Sequence, residues 1–539
     1  MNLKLPYAAA QDHPYTIIKS AASFFSGTLL SRVGGLVRDI SMAYCFGTSP
    51  SVAAFLVAYR FSNLLRRIFG EGVLLNGFIP LFESYRSKDP AEAARFFRDL
   101  AFSLSLVLIF TILGLEIGLG LWLFHGVSQN NKEIIYLSML MLPGLLFVSL
   151  FGLFGGLLQC EKKYFLPGVA PLAFNLVWIA AIWVFYGEDS STAVRGLSVS
   201  VVLAFIFQWV MTLPHAIKFF LEKLTWKELF HCRLFPYEVR QMFGAISFGV
   251  IGIGATQFNN ALDFIFARLL SLEGPAYLNY AIHLYQLPLA LFGIGMTVAL
   301  LPPLSRSVQK KEWDHFHTLL EFSLSKTCLL LLPCSAGLMA VGASTVALIY
   351  THGNFDQEAA AATTLCLWAY SLGLVPAGIA MLLAAPFYAQ KDFFTPTIAT
   401  LTSVALNAAL NAVCVYWLEW GAASVALATS LASIWNAYFL FNRLTKKNGY
   451  SFSKEFEMEI FKILFCSLIA GGFALGSGHF LTHEPSIQLL TGTGNPLFAV
   501  NFFEQVKQFC FASTVFLTSF LTIAISFKAL QLKKNMCNN

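Results

Sequence analysis

Arginines stand in this chain where a water-poor environment makes them costly. The run SRVGGLVRDIS holds Arg32, Arg38 and Asp39, and YRFSNLLRRIFGEG holds Arg60, Asn63, Arg66, Arg67 and Glu71. Both runs lie within long apolar stretches, and a charge at the centre of a membrane helix costs about 2.5–3.5 kcal/mol on insertion scales. Five guanidinium groups against two acids therefore point to an anionic ligand. A guanidinium keeps its charge at any physiological pH, and its planar donors match phosphate bidentately. Phosphate or pyrophosphate compounds are the expected substrates. A cation pump would instead want surplus carboxylates. The second half offers mainly Asp263, in QFNNALDFIFARLL with Gln257 and Asn259, and Arg268 is near enough in sequence to pair with it.

Helical spacing gathers these groups. At 100° per residue, Arg32, Gly35, Arg38 and Asp39 share about a third of one helix circumference. Arg60, Asn63, Arg67 and Gly70 form a second stripe, with Arg66 and Glu71 at its edges. Snorkelling to the interface is the competing role for Arg67, which lies nearest the end of its run.

The elements that carry these residues must be membrane helices. Of 539 residues, 57% are apolar and only 12% charged, against about 25% charged in soluble domains. The mean hydropathy is +0.66. So much apolar surface excludes a soluble enzyme with one anchor. Apolar runs long enough for a bilayer fall near 19–46, 52–82, 98–125, 134–158, 166–187, 196–217, 242–270, 276–303, 321–350, 359–389, 395–417, 421–442, 459–480 and 507–528. The expectation is an all-α polytopic membrane protein of about 14 transmembrane helices. The polar opening MNLKLPYAAAQDHPYTIIKS reads as a short tail before a retained first span rather than a signal peptide.

One set of loops is basic: Arg86, Lys88, Arg95 and Arg98; Lys162 and Lys163; Lys218 to Arg240; Arg306 to Lys311; Lys391; and Arg443 to Lys454, ending with Lys528 to Lys534. The opposite loops carry little beyond Lys132 and Arg195. The positive-inside rule then puts both termini in the cytoplasm.

Internal repetition organises the spans. YRF at 59–61 precedes IPL at 79–81 as IHL at 282–284 precedes PPL at 302–304, and CEKKYFLP at 160–167 answers AQKDFFTP at 389–396. The offsets, 223 and 229, nearly agree. Two parallel six-helix lobes follow, an N-lobe over 19–217 and a C-lobe over 241–443. A cytoplasmic tail at 1–18, a linker at 218–240, a loop at 444–458 and a final helix pair with its tail at 459–539 complete the layout. Parallel repeats of this kind occur in transporters that rock around a central site.

Other chemistries find little support. The ten cysteines are scattered, without CxxC or a Cys/His cluster, so neither a zinc site nor a disulfide framework is expected. GIG at 252–254 and 293–295 opens neither a GxGxxG nor a P-loop, and there is no Walker motif, HExxH or GxSxG. No cofactor is expected. The drive must come from a coupling cation, the membrane potential or product consumption.

The motifs themselves carry a resemblance. SRVGGLVRDISMAYCFG followed by AFLVAYRFSNLLRRIFGEGVLLNGFIPLFESYR closely resembles the opening of the MurJ (MviN) lipid II flippases. QFNNALDFIFARLL, YAIHLYQLPLALFGIGMTVALLPPLSR, HGNFD and FYAQKDFFTP are similar to that family's second-half motifs, in the same order. The resemblance spans residues from about 20 to 530. It implies membership of the superfamily that also holds MATE drug antiporters and Wzx-type flippases. It implies 14 helices in two lobes plus a final pair grooved for a prenyl tail. The activity implied is movement of undecaprenyl-pyrophosphate-linked peptidoglycan precursor from the inner to the outer leaflet of the bacterial inner membrane. Motif matching gives the central-cavity role to Arg32, Arg38, Asp39 and Arg66. Lipid II, membrane lipids and the cell-wall synthesis machinery are the partners expected, and nucleic acid is not.

Two departures stand out. Where the family usually has an acid in the second helix, Ala53 stands in AAFLVAY. Where it usually has Asp-Arg in the eighth, this chain has Ile282 and His283. A side chain that titrates near neutrality replaces a permanent cation, and protonated His283, helped by Arg60, is expected to stand in for it. The alternatives are an ion-coupled MATE-type antiporter, a Wzx-type flippase, and a membrane glycosyltransferase or polymerase using Asp356 or Glu188/Asp189.

Overall fold

In the computed structural model the described residues are 14–69, 73–390, 392–418, 420–448, 452–482 and 502–526. Among them the secondary structure is helical, without strands. In chain order the first helices are α1 (Pro14–Phe46), α2 (Pro50–Phe69), α3 (Val73–Lys88), α4 (Pro90–Phe124), α5 (Gln129–Met141) and α6 (Gly144–Cys160). Then come α7 (Phe165–Val184), α8 (Ser190–Val210), α9 (Leu213–Lys223), α10 (Trp226–Phe230) and α11 (Tyr237–Leu270). The later helices are α12 (Gly274–Pro288), α13 (Gly295–Lys310), α14 (Trp313–Tyr350), α15 (Gln357–Ala389) and α16 (Phe394–Val413). The last are α17 (Ala422–Asn448), α18 (Lys454–Thr482) and α19 (Phe502–Ser526).

Each of the 14 apolar intervals read from the sequence is occupied by a helix or by helices in series. Nine helices among the described residues are long and apolar enough to cross a bilayer, and α5 with α6, bent by 44°, makes a tenth when taken as one span. Interruptions occur where the sequence dictates them. A π-helical stretch, Leu289–Ile294, joins α12 to α13 directly after Pro288, where proline cannot supply the N–H of a regular ladder. Large apolar side chains face outward, including Phe110, Ile117 and Phe124 of α4 and Phe461, Leu468 and Phe473 of α18. In water such a surface would be a liability, whereas hydrocarbon accepts it.

The chain divides into two compact units. The first holds residues 1–42 and 58–254, the second residues 43–57 and 255–539. In the first, an aromatic core joins α3, α4, α6 and α9: Phe97 packs against Phe78, Phe154 and Phe220 at 5.3–5.7 Å between ring centroids. Helix α9 presents Ala216 and Phe219 to this core and leaves Ile217 and Leu221 exposed. In the second unit the final helix pair packs on itself and on α14, through Ile463, Cys466, Ala470, Phe516 and Phe520 against Leu329, Leu332 and Ala336.

The repeated sequence blocks are helix corners. CEKKYFLP turns the chain from α6 into α7, with Lys162 at a φ of 59°. FYAQKDFFTP turns it from α15 into α16, and there Asp392 accepts from the Thr395 N–H and hydroxyl at 3.0 and 2.9 Å. HGNFD is also structural. In the second unit Asn354 donates its backbone N–H to the Tyr44 carbonyl (2.9 Å) and its side-chain amide to the Cys45 carbonyl (2.6 Å). It thereby satisfies two carbonyls that the end of α1 leaves without helical partners. Gly47 and Gly353, both at positive φ, allow this approach, since a Cβ on either would lie 2.2–2.3 Å from a carbonyl oxygen of the facing segment.

Candidate functional site

In the first unit the arginine of VRDIS is built into a joint between α1 and α7. Gly27, Ser31, Gly34 and Arg38 fall at i, i+4, i+7 and i+11, one face of α1. A Cβ on Gly27 would lie 2.8 Å from the Val169 nitrogen, and one on Gly34 would lie 2.5 Å from Leu172 Cδ1. Small residues at these two turns let the helices close together. The close approach brings Arg38 to the polar and aromatic side chains one turn further along α7.

There Arg38 Nε and Nη2 both donate to Asp39 Oδ1, at 3.0 and 2.7 Å, and Nη1 donates to Asn175 Oδ1 at 3.1 Å. The guanidinium carbon stands 4.5 Å from the centre of the Trp178 ring. Trp178 in turn meets Tyr59 of α2 edge-on at 4.9 Å. The Arg38 and Asp39 side chains are 13% and 9% exposed, so the pair is weakly screened. A nearly dry cation held by one acid, an amide and an indole face is a phosphate-binding element in chemical type.

The other first-half residues take different places. Arg32 is exposed on α1 and Arg60 is half-buried on α2. Asn63 is buried, and its side-chain carbonyl has no hydrogen-bond partner among the described residues. Arg66 and Arg67 lie in the last turn of α2, and Glu71 falls outside the described residues. Arg98, which the loop reading counted among the basic loop residues, is buried in α4 and donates to Asp99 and to the Glu228 carbonyl. Asp99 also accepts from the Arg233 N–H at 3.1 Å, so the pair pins the linker to α4. A cavity of about 480 Å³ beside it is lined by Arg95, Arg98, Asp99, Glu228 and Arg233 among others. Arg95 and Arg98 there engage Glu228 and Asp99.

The second unit buries an acid. Asp263, 4% exposed, accepts from Asn407 (2.7 Å), Asn411 (2.9 Å) and Thr429 (3.0 Å). The Asn407 amide also donates to Asn259 at 2.9 Å. Arg268, the residue the sequence offered as a partner for Asp263, donates to the Pro50 and Leu272 carbonyls. Five residues separate the two, which turns them about 140° apart on α11. The Asn407 and Asn411 side-chain carbonyls are buried without hydrogen-bond partners. Gln257 is buried and donates to its neighbour Thr256 at 3.4 Å, and His283 sits half-buried on α12.

The structure thus joins Arg38 to Asp39 in one unit and Asn259 to the Asp263 cluster in the other. Sequence reasoning missed Asn175 and Trp178, and it missed Asn407, Asn411 and Thr429. The signal for two of them was present: LNAALNAV places two amides at i and i+4 in an apolar run. Of the three residues proposed for an enzyme, two are helix caps, Asp356 accepting from the Ala359 N–H at 2.8 Å and Asp189 from the Thr192 N–H at 3.0 Å, and Glu188 is exposed beside the second.

Comparison with known proteins agrees with this architecture. Residues 42–491 match the family described as lipid II flippase MurJ. A probable lipid II flippase MurJ of Chlamydia pneumoniae is 33% identical over 442 residues, covering 81% of this chain and 79% of its own. A solved lipid II flippase MurJ in an inward closed conformation superposes with a TM-score of 0.73 at 22% identity, covering 94% of this chain and 99% of that one. An inward-facing MATE multidrug transporter of the MOP superfamily reaches a TM-score of 0.62 at 15% identity, covering 80% and 100%. The family match over most of the length, together with a relative of one-third identity, establishes that this chain belongs to the MurJ family of lipid II flippases.

Proposed function

We propose that this protein flips lipid II, the undecaprenyl-pyrophosphate-linked peptidoglycan precursor, from the cytoplasmic to the outer leaflet of the inner membrane by alternating access. The observation that carries the proposal is the buried Arg38 centre of α1, with its guanidinium ordered by Asp39, Asn175 and Trp178. Pyrophosphate is the group such a cation recognises. Arg32, Arg60, Asn63 and Arg66 complete the headgroup site in this reading. His283, when protonated, takes the place of the family's second-half arginine. The two termini face the cytoplasm, and the flipped lipid passes to the cell-wall synthesis machinery. Each negative charge carried outward across a potential that is negative inside gains about 2.3 kcal/mol per 100 mV, so the potential itself favours the export step.

A coupling cation is the second part of the reading, and the Asp263 cluster supports it. Asp263 and Thr429 bring a carboxylate and a hydroxyl oxygen together, and the Asn407 and Asn411 amides, which turn their NH₂ groups to that carboxylate, would each present a carbonyl oxygen after a half-turn. Hard oxygen donors with a single negative charge fit a monovalent cation. Asp263, Asn407, Asn411 and Thr429 would hold it, and the cation would supply the charge that lets the buried carboxylate stay ionised.

Depleting the protein in cells tests the function. Lipid II headgroups should then stay protected from a modifying enzyme added outside. Undiminished exposure in a strain without a second flippase would sink the proposal.

A further inference from the structure

We propose that Asn175 and Trp178 of α7 are positioning residues for Arg38, fixing the plane and direction in which its guanidinium meets a pyrophosphate headgroup. The inference rests on the lipid II reading above and assigns roles to two residues outside the arginine motif.

An arginine side chain left to itself in a wet cleft samples many rotamers, and ordering it on ligand binding costs affinity. At Arg38 that freedom is already removed from three directions. Asp39 Oδ1 bridges Nε and Nη2 along one edge of the guanidinium. Asn175 Oδ1 takes Nη1 on another edge. The Trp178 ring covers one face at 4.5 Å. Two in-plane acceptors and one stacked ring define position, rotation and face together.

The partners are themselves fixed. The Asn175 amide donates through Nδ2 to the Ser31 carbonyl of α1 at 3.0 Å. Flipping the amide would set its NH₂ against the guanidinium and its oxygen against that carbonyl, so a single orientation satisfies both. Trp178, 3% exposed, is wedged edge-on between Phe174 (5.5 Å) and Tyr59 (4.9 Å). The spacing of the two helices is set by Gly27 and Gly34. The residue type at 175 also matters for charge. Arg38 with Asp39 is neutral, and an aspartate at 175 would make the centre negative and repel an anionic headgroup. Asparagine supplies the acceptor without the charge.

A double-mutant cycle on the full-length protein in nanodiscs, read as lipid II binding, tests the proposal. Trp178→Leu and Asn175→Leu should each weaken binding about 5- to 30-fold. Trp178→Phe, which keeps an aromatic face, should stay within about threefold of wild type. Asn175→Asp should bind more weakly than wild type, and added salt should narrow the difference. On an Arg38→Ala background the Trp178 and Asn175 changes should move affinity by less than about twofold. Equal losses with and without Arg38, or no loss at all, overturn the positioning role.

A second readout needs no lipid. The Nε resonance of Arg38, assigned by its absence in Arg38→Lys, should be ring-current shifted and show slow rotation about Nε–Cζ. Trp178→Leu should abolish the shift, and an unchanged resonance overturns the proposal. Failure of wild-type protein to prefer lipid II over a prenyl lipid with a neutral headgroup would instead overturn the substrate reading. The resonance would still decide the positioning role in that case.

Discussion

In the first unit the buried charge is positive and is answered by a charge, Arg38 beside Asp39. In the second unit a buried acid, Asp263, accepts from dipoles, those of Asn407, Asn411 and Thr429, and the buried Arg268 of the same helix donates to backbone carbonyls. An ion pair with an ordered guanidinium is close to neutral and offers an incoming anion a cation at little cost in rearrangement. The Asp263 carboxyl is oriented instead by two amides and a hydroxyl that donate to it. The first arrangement suits an anionic headgroup, and the second suits a cation that comes and goes. The two halves of one repeated architecture thus carry complementary chemistry.

The sharpest way to break the comparison is to remove either charge. Arg38→Ala leaves Asp39 buried beside an empty space, and breaking a buried pair this way costs about 3–5 kcal/mol. Thermal unfolding in detergent should record that loss, and lipid II translocation should fall at least about tenfold. Arg38→Lys should recover more of the stability than of the transport, because a point charge cannot make the two-edged contact.

Asp263→Ala should cost somewhat less, because Asn407 and Thr429 keep the Asn259 and Val425 oxygens as acceptors and the Asn411 amide alone loses its acceptor, at about 1–3 kcal/mol. Asp263→Asn should keep most of the fold and abolish any dependence of transport on sodium, lithium or potassium. Cation dependence that survives this change would detach the second cluster from coupling.

Packing comes next in size. Gly34→Leu should destabilise by about 1–3 kcal/mol through overpacking against Leu172. Gly35→Ala is the matched control, since a Cβ there meets only the Asn175 amide at an ordinary 3.7 Å. Equal effects at the two positions would contradict the α1–α7 joint as the device that places Arg38. Asp356→Ala should cost about 1 kcal/mol as a lost helix cap, Asp189→Ala should lower stability less, and both should leave transport intact. Loss of function without loss of stability would revive the enzyme reading.

The smallest effect concerns pH. Burial pushes the Asp392 carboxyl up, but Lys447 at 2.7 Å and the Thr395 donors outweigh it and hold it below its ordinary 3.8. A depressed folded-state value means the contribution is complete above pH 3.8 and disappears as pH falls through that lower value. Asp392→Asn should therefore lower stability slightly at neutral pH, flatten the profile below about pH 4 and converge with wild type at the acid extreme, as thermal unfolding across pH would record.

Much of this was legible in the residues, for reasons that differ by region. Long apolar runs announce membrane helices because only helices and closed barrels satisfy backbone groups in hydrocarbon and the runs lack the alternation of barrel strands, and the described residues of each of the 14 intervals carry helix. Arg38 and Asp39 stood out because charge is rare in such runs. Asn175 and Trp178 did not, since one amide and one indole in FNLVWIAAIWV look like ordinary helix interior, and only the packing of α1 on α7 gives them a role. Sequence proximity offered only Arg268 to Asp263, whereas tertiary packing also brings it Asn407 from 144 positions away. HGNFD was recognisable as a motif, but its work as a cap on α1 depends on a contact across more than 300 residues.

The most direct measurement of the central claim is lipid II translocation by the purified full-length chain in proteoliposomes, scored as headgroups becoming accessible to an enzyme outside. Wild-type protein should flip lipid II and leave a prenyl lipid with a neutral headgroup behind, and Arg38→Ala should lower the rate at least about tenfold at equal protein incorporation. Translocation that ignores headgroup charge, or that proceeds at the wild-type rate without Arg38, would contradict the account.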